Sequence, residues 1–195
     1  MIIVWILLAL LVVVGIYLVI TYNGLVSLRN KIENAWAQID VQLKRRYDLI
    51  PNLVETVKGY AAHERQTLEA VIQARNVALN AQGPHDQAEA ENLISGALKS
   101  VFALAEAYPD LKANQNFLNL QEELSGTEGR IAYARQYYND SVFRYNTKIQ
   151  SFPANLVASR FRFTEREYFE ADGDARGPVA VDFGQGQAPP TPPAD

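Results

Sequence analysis

Residues 2–20 form an apolar run without a single charged side chain, and this run constrains the chain more than any other feature. As a helix, nineteen residues span ~28 Å, close to the hydrocarbon thickness of a bilayer. Trp5 sits near one end, and Tyr17 and Tyr22 near the other, where aromatic side chains favour the membrane–water boundary. A secretory signal would have a basic start, a shorter apolar core and a small-residue cleavage site. Here Met1 is followed directly by Ile2, and the far end reads Val-Ile-Thr-Tyr-Asn. The run is therefore read as an uncleaved anchor. Arg29 and Lys31 follow it closely and no basic residue precedes it. The positive-inside tendency then predicts a single-pass protein of the inner (cytoplasmic) membrane, with a short N-terminus outside and the rest in the cytoplasm.

Beyond the anchor the pattern is helical. Ile32, Trp36, Ile39, Leu43, Tyr47, Ile50, Val54 and Val57 recur at threes and fours, one stripe on a helix. The register continues on paper through Ala61, Glu64, Leu68, Val71, Arg75 and Ala78. Pro51 interrupts it chemically, because proline has no amide to donate and its ring crowds the carbonyl four residues before. Either one long helix kinks there, or Asp48 caps a new helix with Pro51 in its first turn. Gln82-Gly-Pro-His reads as a loop, and Asp86 with Glu89 resembles a capping box. The next helix carries Ile94, Leu98, Val101, Ala105 and Tyr108 and stops before Pro109. A turn leads to a third run through Phe117, Leu124, Ile131, Tyr138, Val142, Tyr145 and Ile149. Gly126 and Gly129 each cost it about 1 kcal/mol, to be met by a close helix approach or a local break. Pro153 opens a short last helix from Ala154 to about Arg160.

These elements predict an all-α fold: a transmembrane helix and then an antiparallel, up-and-down bundle of three to four long helices. The expected division is an anchor over 1–22, a bundle over 23–165 and an extended segment packed on it over 166–183. A Pro-, Gly- and Gln-rich tail over 184–195 has little to bury and is expected to be disordered.

The motifs Asn34-Ala-Trp36, Ile39-Asp40-Val-Gln-Leu-Lys-Arg-Arg46 and Asp48-Leu-Ile-Pro51-Asn52-Leu-Val resemble the LemA family. So do Gly59-Tyr-Ala-Ala-His63-Glu64, Tyr108-Pro-Asp-Leu-Lys-Ala-Asn114, Thr127-Glu128, Tyr138-Asn139, Tyr145-Asn146 and Phe152-Pro153. The resemblance covers roughly residues 1–170. It implies a bacterial membrane-anchored helical bundle with the cytoplasmic topology above, connected with envelope maintenance, and it carries over no catalytic residue.

The residues themselves offer little chemistry. The chain has no cysteine, which excludes disulfides and thiolates, and its net charge of -4 argues against a nucleic-acid partner. His63-Glu64 lacks the second histidine of a zincin motif, since position 67 is Thr. No catalytic, cofactor or metal residue is predicted. Lys44-Arg45-Arg46 is read as a solvated face, a lipid-attracted patch or part of a structural network. Asp40, Arg46, Glu64, Arg75 and Glu128 lie on or beside apolar stripes with complementary signs, and inter-helix ion pairs are expected among them. The structural set thus comprises Asn34, Trp36, Asp40, Arg45, Arg46, Asp48, Pro51, Asn52, Glu64, Arg75 and Glu128.

The first functional expectation is a non-enzymatic membrane-anchored scaffold or adaptor. It touches the bilayer through residues 2–20, binds an unidentified protein partner and is capable of homo-oligomerising. The alternatives are a metal-dependent hydrolase using Glu64, His63 and Glu128, and a ligand sensor with a cavity between helices.

Overall fold

The structure, a computed structural model, describes residues 1–170. Six helices follow in order: α1 (Ile2–Lys58), α2 (Arg65–Asn80), α3 (Gly83–Ala105), α4 (Pro109–Lys112), α5 (Gln115–Gln150) and α6 (Ala154–Arg160). No strand occurs among the described residues, so the all-α expectation holds. Of the segment expected over 166–183, residues 171–183 lie outside the described residues, as does the tail expected over 184–195.

The apolar run and the first bundle helix are one element. α1 is 57 residues long and passes through Pro51 without a break. At 1.5 Å per residue it extends ~85 Å. Its first twenty residues are almost wholly uncovered by the rest of the chain, whereas Leu25, Ile32, Ile39, Leu43, Ile50, Leu53 and Val57 are buried. Of the two geometries open at Pro51, the chain adopts the single helix. Pro51 lies on the exposed face, so its ring displaces no core contact.

Three local expectations need correction. The stripe that seemed continuous through Glu64 is divided by a turn over residues 59–64, after which α2 doubles back along α1. The spacing survived on paper because Val57, Ala61 and Leu68 are buried on both sides of the reversal. α3 begins at Gly83, three residues before the expected capping box. Pro84 occupies its first turn, where a missing amide costs nothing, and Asp86 faces the positive helix end there. Finally, α5 runs unbroken through Gly126 and Gly129. A Cβ at either would meet nothing within 4 Å, so neither a break nor a close approach accounts for them.

The antiparallel register of α1 and α5 is fixed at three heights. Asn114 Nδ2 donates to the Tyr60 hydroxyl at 2.9 Å, Arg45 pairs with Glu123 at 2.5 Å, and the rings of Trp36 and Tyr138 lie 5.6 Å apart. α2 and α3 form a second antiparallel pair. Tyr108 reaches Glu64 at one end, and Gln87 reaches the Ala78 carbonyl at the other. The half of the bundle far from the anchor therefore has four helices, α1, α2, α3 and α5, running up, down, up and down. In the near half α1 and α5 continue alone, joined by α6 and the extended residues 163–170.

Candidate functional site

Where α1, α3 and α5 meet, the core is charged. Arg46 and Glu91 each have side chains 2% exposed, and Arg46 Nη1 lies 2.8 Å from Glu91 Oε2. Arg46 Nη2 bonds Glu128 Oε2 at 2.7 Å and donates to Ser95 Oγ at 2.9 Å. The second Glu91 oxygen accepts from the Tyr47 hydroxyl and, at 3.4 Å, from Gln87 Nε2. The Gln87 amide also donates to the Tyr47 oxygen at 2.7 Å. Desolvation of a lone buried charge costs several kcal/mol, and here two carboxylates on different helices offset that of Arg46. Burial, reinforced by the Glu91 carboxylate, pushes the Tyr47 phenol far above its ordinary value. Burial lowers the Arg135 guanidinium, while Glu128 and Glu91 act to raise it.

Glu91 is fully engaged. Arg46 takes one oxygen, while Tyr47 and Gln87 take the other. With both oxygens bonded and the side chain 2% exposed, the carboxylate is turned to its neighbours and away from solvent. The arrangement joins three helices at one height, where buried polar residues in coiled coils specify register.

The other predicted residues divide sharply. Arg75 donates from Nε to the Tyr47 carbonyl at 2.8 Å. Glu64 accepts from Tyr108 at 3.2 Å, and Trp36 is half-buried against Tyr138 and Phe169. Asn34, Asp40, Asp48, Pro51 and Asn52 are exposed. Asp40 therefore leaves the expected charged seam: it stands one position beyond buried Ile39, on the outer face of α1. The basic trio separates as well. Lys44 is solvated, Arg45 makes a surface pair with Glu123, and Arg46 enters the core.

The residues of the hydrolase alternative do not converge. His63 is exposed in the turn before α2. Glu64 sits at the height of Tyr108 and Glu128 at the height of Ser95. Those two positions lie about 20 Å apart along α3. For the sensor alternative, an open groove of about 630 Å³ runs between α1 and α5 and includes Ala37, Val41, Gln42, Gly126, Gly129 and Tyr133 in its lining.

Sequence reading missed Gln87, Glu91 and Ser95. Their signal was present, because Gln87, Glu91, Ile94 and Leu98 share one helical stripe and two of the four are polar. It also missed the job of Asn139 and Asn146. Asn146 donates to the Arg166 carbonyl and accepts from the Arg166 amide, both at 2.9 Å. Asn139 does the same with Phe169, at 3.3 and 2.8 Å. The Tyr138 hydroxyl adds a bond to the Glu167 carbonyl at 2.9 Å. Residues 166–169 thus lie as a strap on α5.

A long apolar N-terminal helix running into an all-α bundle locked by buried charges defines a membrane-associated helical-bundle protein. The chain belongs to the LemA family, which it matches over residues 35–183. It is similar to Protein LemA of Metamycoplasma hominis, with 31% identity over 76% of this chain and 68% of that protein. It is also similar to Magnetosome protein MamQ 1 of Paramagnetospirillum magneticum, with 25% identity over 78% of this chain and 66% of the relative. Magnetosome protein MamQ of Magnetospirillum gryphiswaldense is 24% identical over 78% of this chain and 65% of its own length. The chain thus spans about two thirds of the length of these relatives.

Proposed function

We propose that this LemA-family protein is a non-enzymatic scaffold that holds a helical platform at the inner membrane, with the bundle in the cytoplasm. One observation carries the reading: the apolar run and the bundle share the uninterrupted helix α1. No flexible joint separates the two, so the bundle follows the height and tilt of the span. A rigid connection of this kind suits an adaptor that presents a surface near the bilayer. Arg29 and Lys31 support the orientation. The commitment of Arg46, Glu91 and Glu128 to one another supports a structural use of the charges. The LemA and MamQ relatives support a role at a membrane. The expected contacts are the bilayer through residues 2–20, an unidentified protein partner and a second copy of the chain.

The test is affinity capture of the full chain from crosslinked membranes, paired with a reporter fused after Asp195. Recovery of a defined partner, with reporter activity only as a cytoplasmic fusion, is the expected result. Insertion of a flexible glycine–serine linker after Tyr22 should abolish capture while membrane location is kept. Unchanged capture with the linker would remove the argument from rigidity, and periplasmic reporter activity would reverse the orientation.

A further inference from the structure

The fold gathers basic and aromatic residues at the end of the bundle nearest the anchor. Residues 21–32 and 141–164 together carry six Lys or Arg and no Asp or Glu, in a chain whose net charge is -4. The six are Arg29, Lys31, Arg144, Lys148, Arg160 and Arg162. The sequence alone places only the first two beside the apolar run. The antiparallel pairing of α1 with α5 delivers the other four.

The height of this cluster follows from the register. The pairing that sets Tyr60 against Asn114 and Trp36 against Tyr138 sets Tyr22 against Phe152. Tyr22 stands two residues past Ile20, the end of the apolar run, which is ~3 Å along the helix. Independently, the Phe161 ring lies 4.9 Å and the Phe163 ring 5.7 Å from Tyr22. The α5–α6 turn and α6 therefore lie at the membrane boundary. Their large apolar side chains are uncovered there: Phe152 is 79%, Leu156 61% and Phe161 53% exposed. Of the nearest acidic side chains, Glu33 pairs with Arg29 and Arg166, Glu165 accepts from Gln150, and exposed Asp140 lies farther from the anchor, opposite Asn34 in the same register.

We propose that the α5–α6 turn and α6 form a second membrane contact, an interfacial foot. In it Phe152, Leu156 and Phe161 enter the headgroup boundary of an anionic bilayer, and Lys148, Arg160 and Arg162 meet its phosphates. Aromatic rings favour this zone, and basic residues within a Debye length of an anionic leaflet are drawn to it. Two attachments, span and foot, fix the rotation of the bundle about the α1 axis, which a single span leaves free.

The absence of cysteine permits a direct test. Full-length Leu156→Cys and Val77→Cys proteins are labelled with an environment-sensitive fluorophore and placed in nanodiscs containing phosphatidylglycerol and a shallow spin-labelled quencher lipid. Val77, exposed on α2 in the distal half, is the control. The label at 156 should be quenched several-fold more than that at 77. Its quenching should fall in phosphatidylcholine alone and with Lys148→Gln/Arg160→Gln, and free inorganic phosphate should not shift it. Equal quenching at 156 and 77 would overturn the foot. Strong quenching at 156 that is indifferent to lipid charge and to the double variant would overturn the anionic recognition.

Discussion

Arg75 supplies the hydrogen bond that Pro51 withholds. In an unbroken helix the amide of residue 51 would bond the Tyr47 carbonyl, and proline has no such amide. Arg75, on α2, donates its Nε to that carbonyl at 2.8 Å. The long helix keeps its course through the proline, and the same bond ties α2 to α1. Arg75→Met should therefore cost about 1–3 kcal/mol, the penalty of an unpaired, part-buried carbonyl. In a Pro51→Ala background the restored amide takes over and the same substitution should cost clearly less. A double-mutant cycle by thermal unfolding in detergent measures the coupling, and additive losses would show that the two residues act separately.

Glu91 should dominate the charge network. Both it and Arg46 are buried to 2% exposure, whereas the Glu128 side chain is 49% exposed. Glu91→Gln leaves Arg46 with one partially solvated carboxylate, and losses of about 3–5 kcal/mol follow when a buried pair is broken. Glu128→Gln should cost about 1 kcal/mol, because water replaces part of what is removed. Unfolding midpoints that fall equally in the two variants would contradict this ranking.

The contrast between these two glutamates shows what a sequence yields. The apolar stripes, the separate helices after Asn80 and the short last helix were legible, because periodicity and proline positions encode them directly. Arg46 and Glu128 were legible as charges near a stripe. Glu91 was passed over because it sits among alanines and glutamates, where a charge reads as solvated. Asp40 failed in the opposite sense: one position separates it from the stripe, and 100° of rotation puts it in water. The reversal at 59–64 was hidden because a buried spacing is compatible with a continuing helix and with a turn. Tertiary pairings such as Asn139 with Phe169 leave no local trace at all.

High pH should weaken the fold through Tyr47. Burial and then the Glu91 carboxylate keep its phenol neutral in the folded protein well beyond the ordinary range. The unfolded chain ionises it near pH 10. The stabilisation is whole below about pH 10 and drains away above it, while only the unfolded state loses the proton. The slope is at most about 1.4 kcal/mol per pH unit, reduced by whatever solvent screening reaches the ring. Tyr138 and Tyr145, also raised by burial, add in the same direction. Tyr47→Phe should flatten the alkaline decline in unfolding midpoint. A decline as steep as that of the wild type would remove Tyr47 from the account.

The strap on α5 yields the last prediction. Asn139 and Asn146 are two helical turns apart, a rise of ~10.5 Å. The three steps of extended chain from Arg166 to Phe169 cover ~10 Å. The two spacings match, so each asparagine amide meets both backbone groups of one strap residue, as a neighbouring strand would. Phe169, 1% exposed, is held beneath Trp36, with the Arg135 guanidinium 4.6 Å from its ring centre. Asn146→Ala should leave the Arg166 amide unbonded within the fold, and Asn139→Ala the Phe169 amide. Each loss should cost about 1–3 kcal/mol and act locally first. Hydrogen exchange resolves the effect: in Asn146→Ala the amide of Arg166 should exchange faster while those of the buried half of α3 stay protected. Phe169→Ala, which removes the ring that closes the strap, should cost about 3–5 kcal/mol and release both amides together. Protection at Arg166 and Phe169 that is the same in all three variants as in the wild type would mean that the strap is held by something other than these two asparagines and this ring.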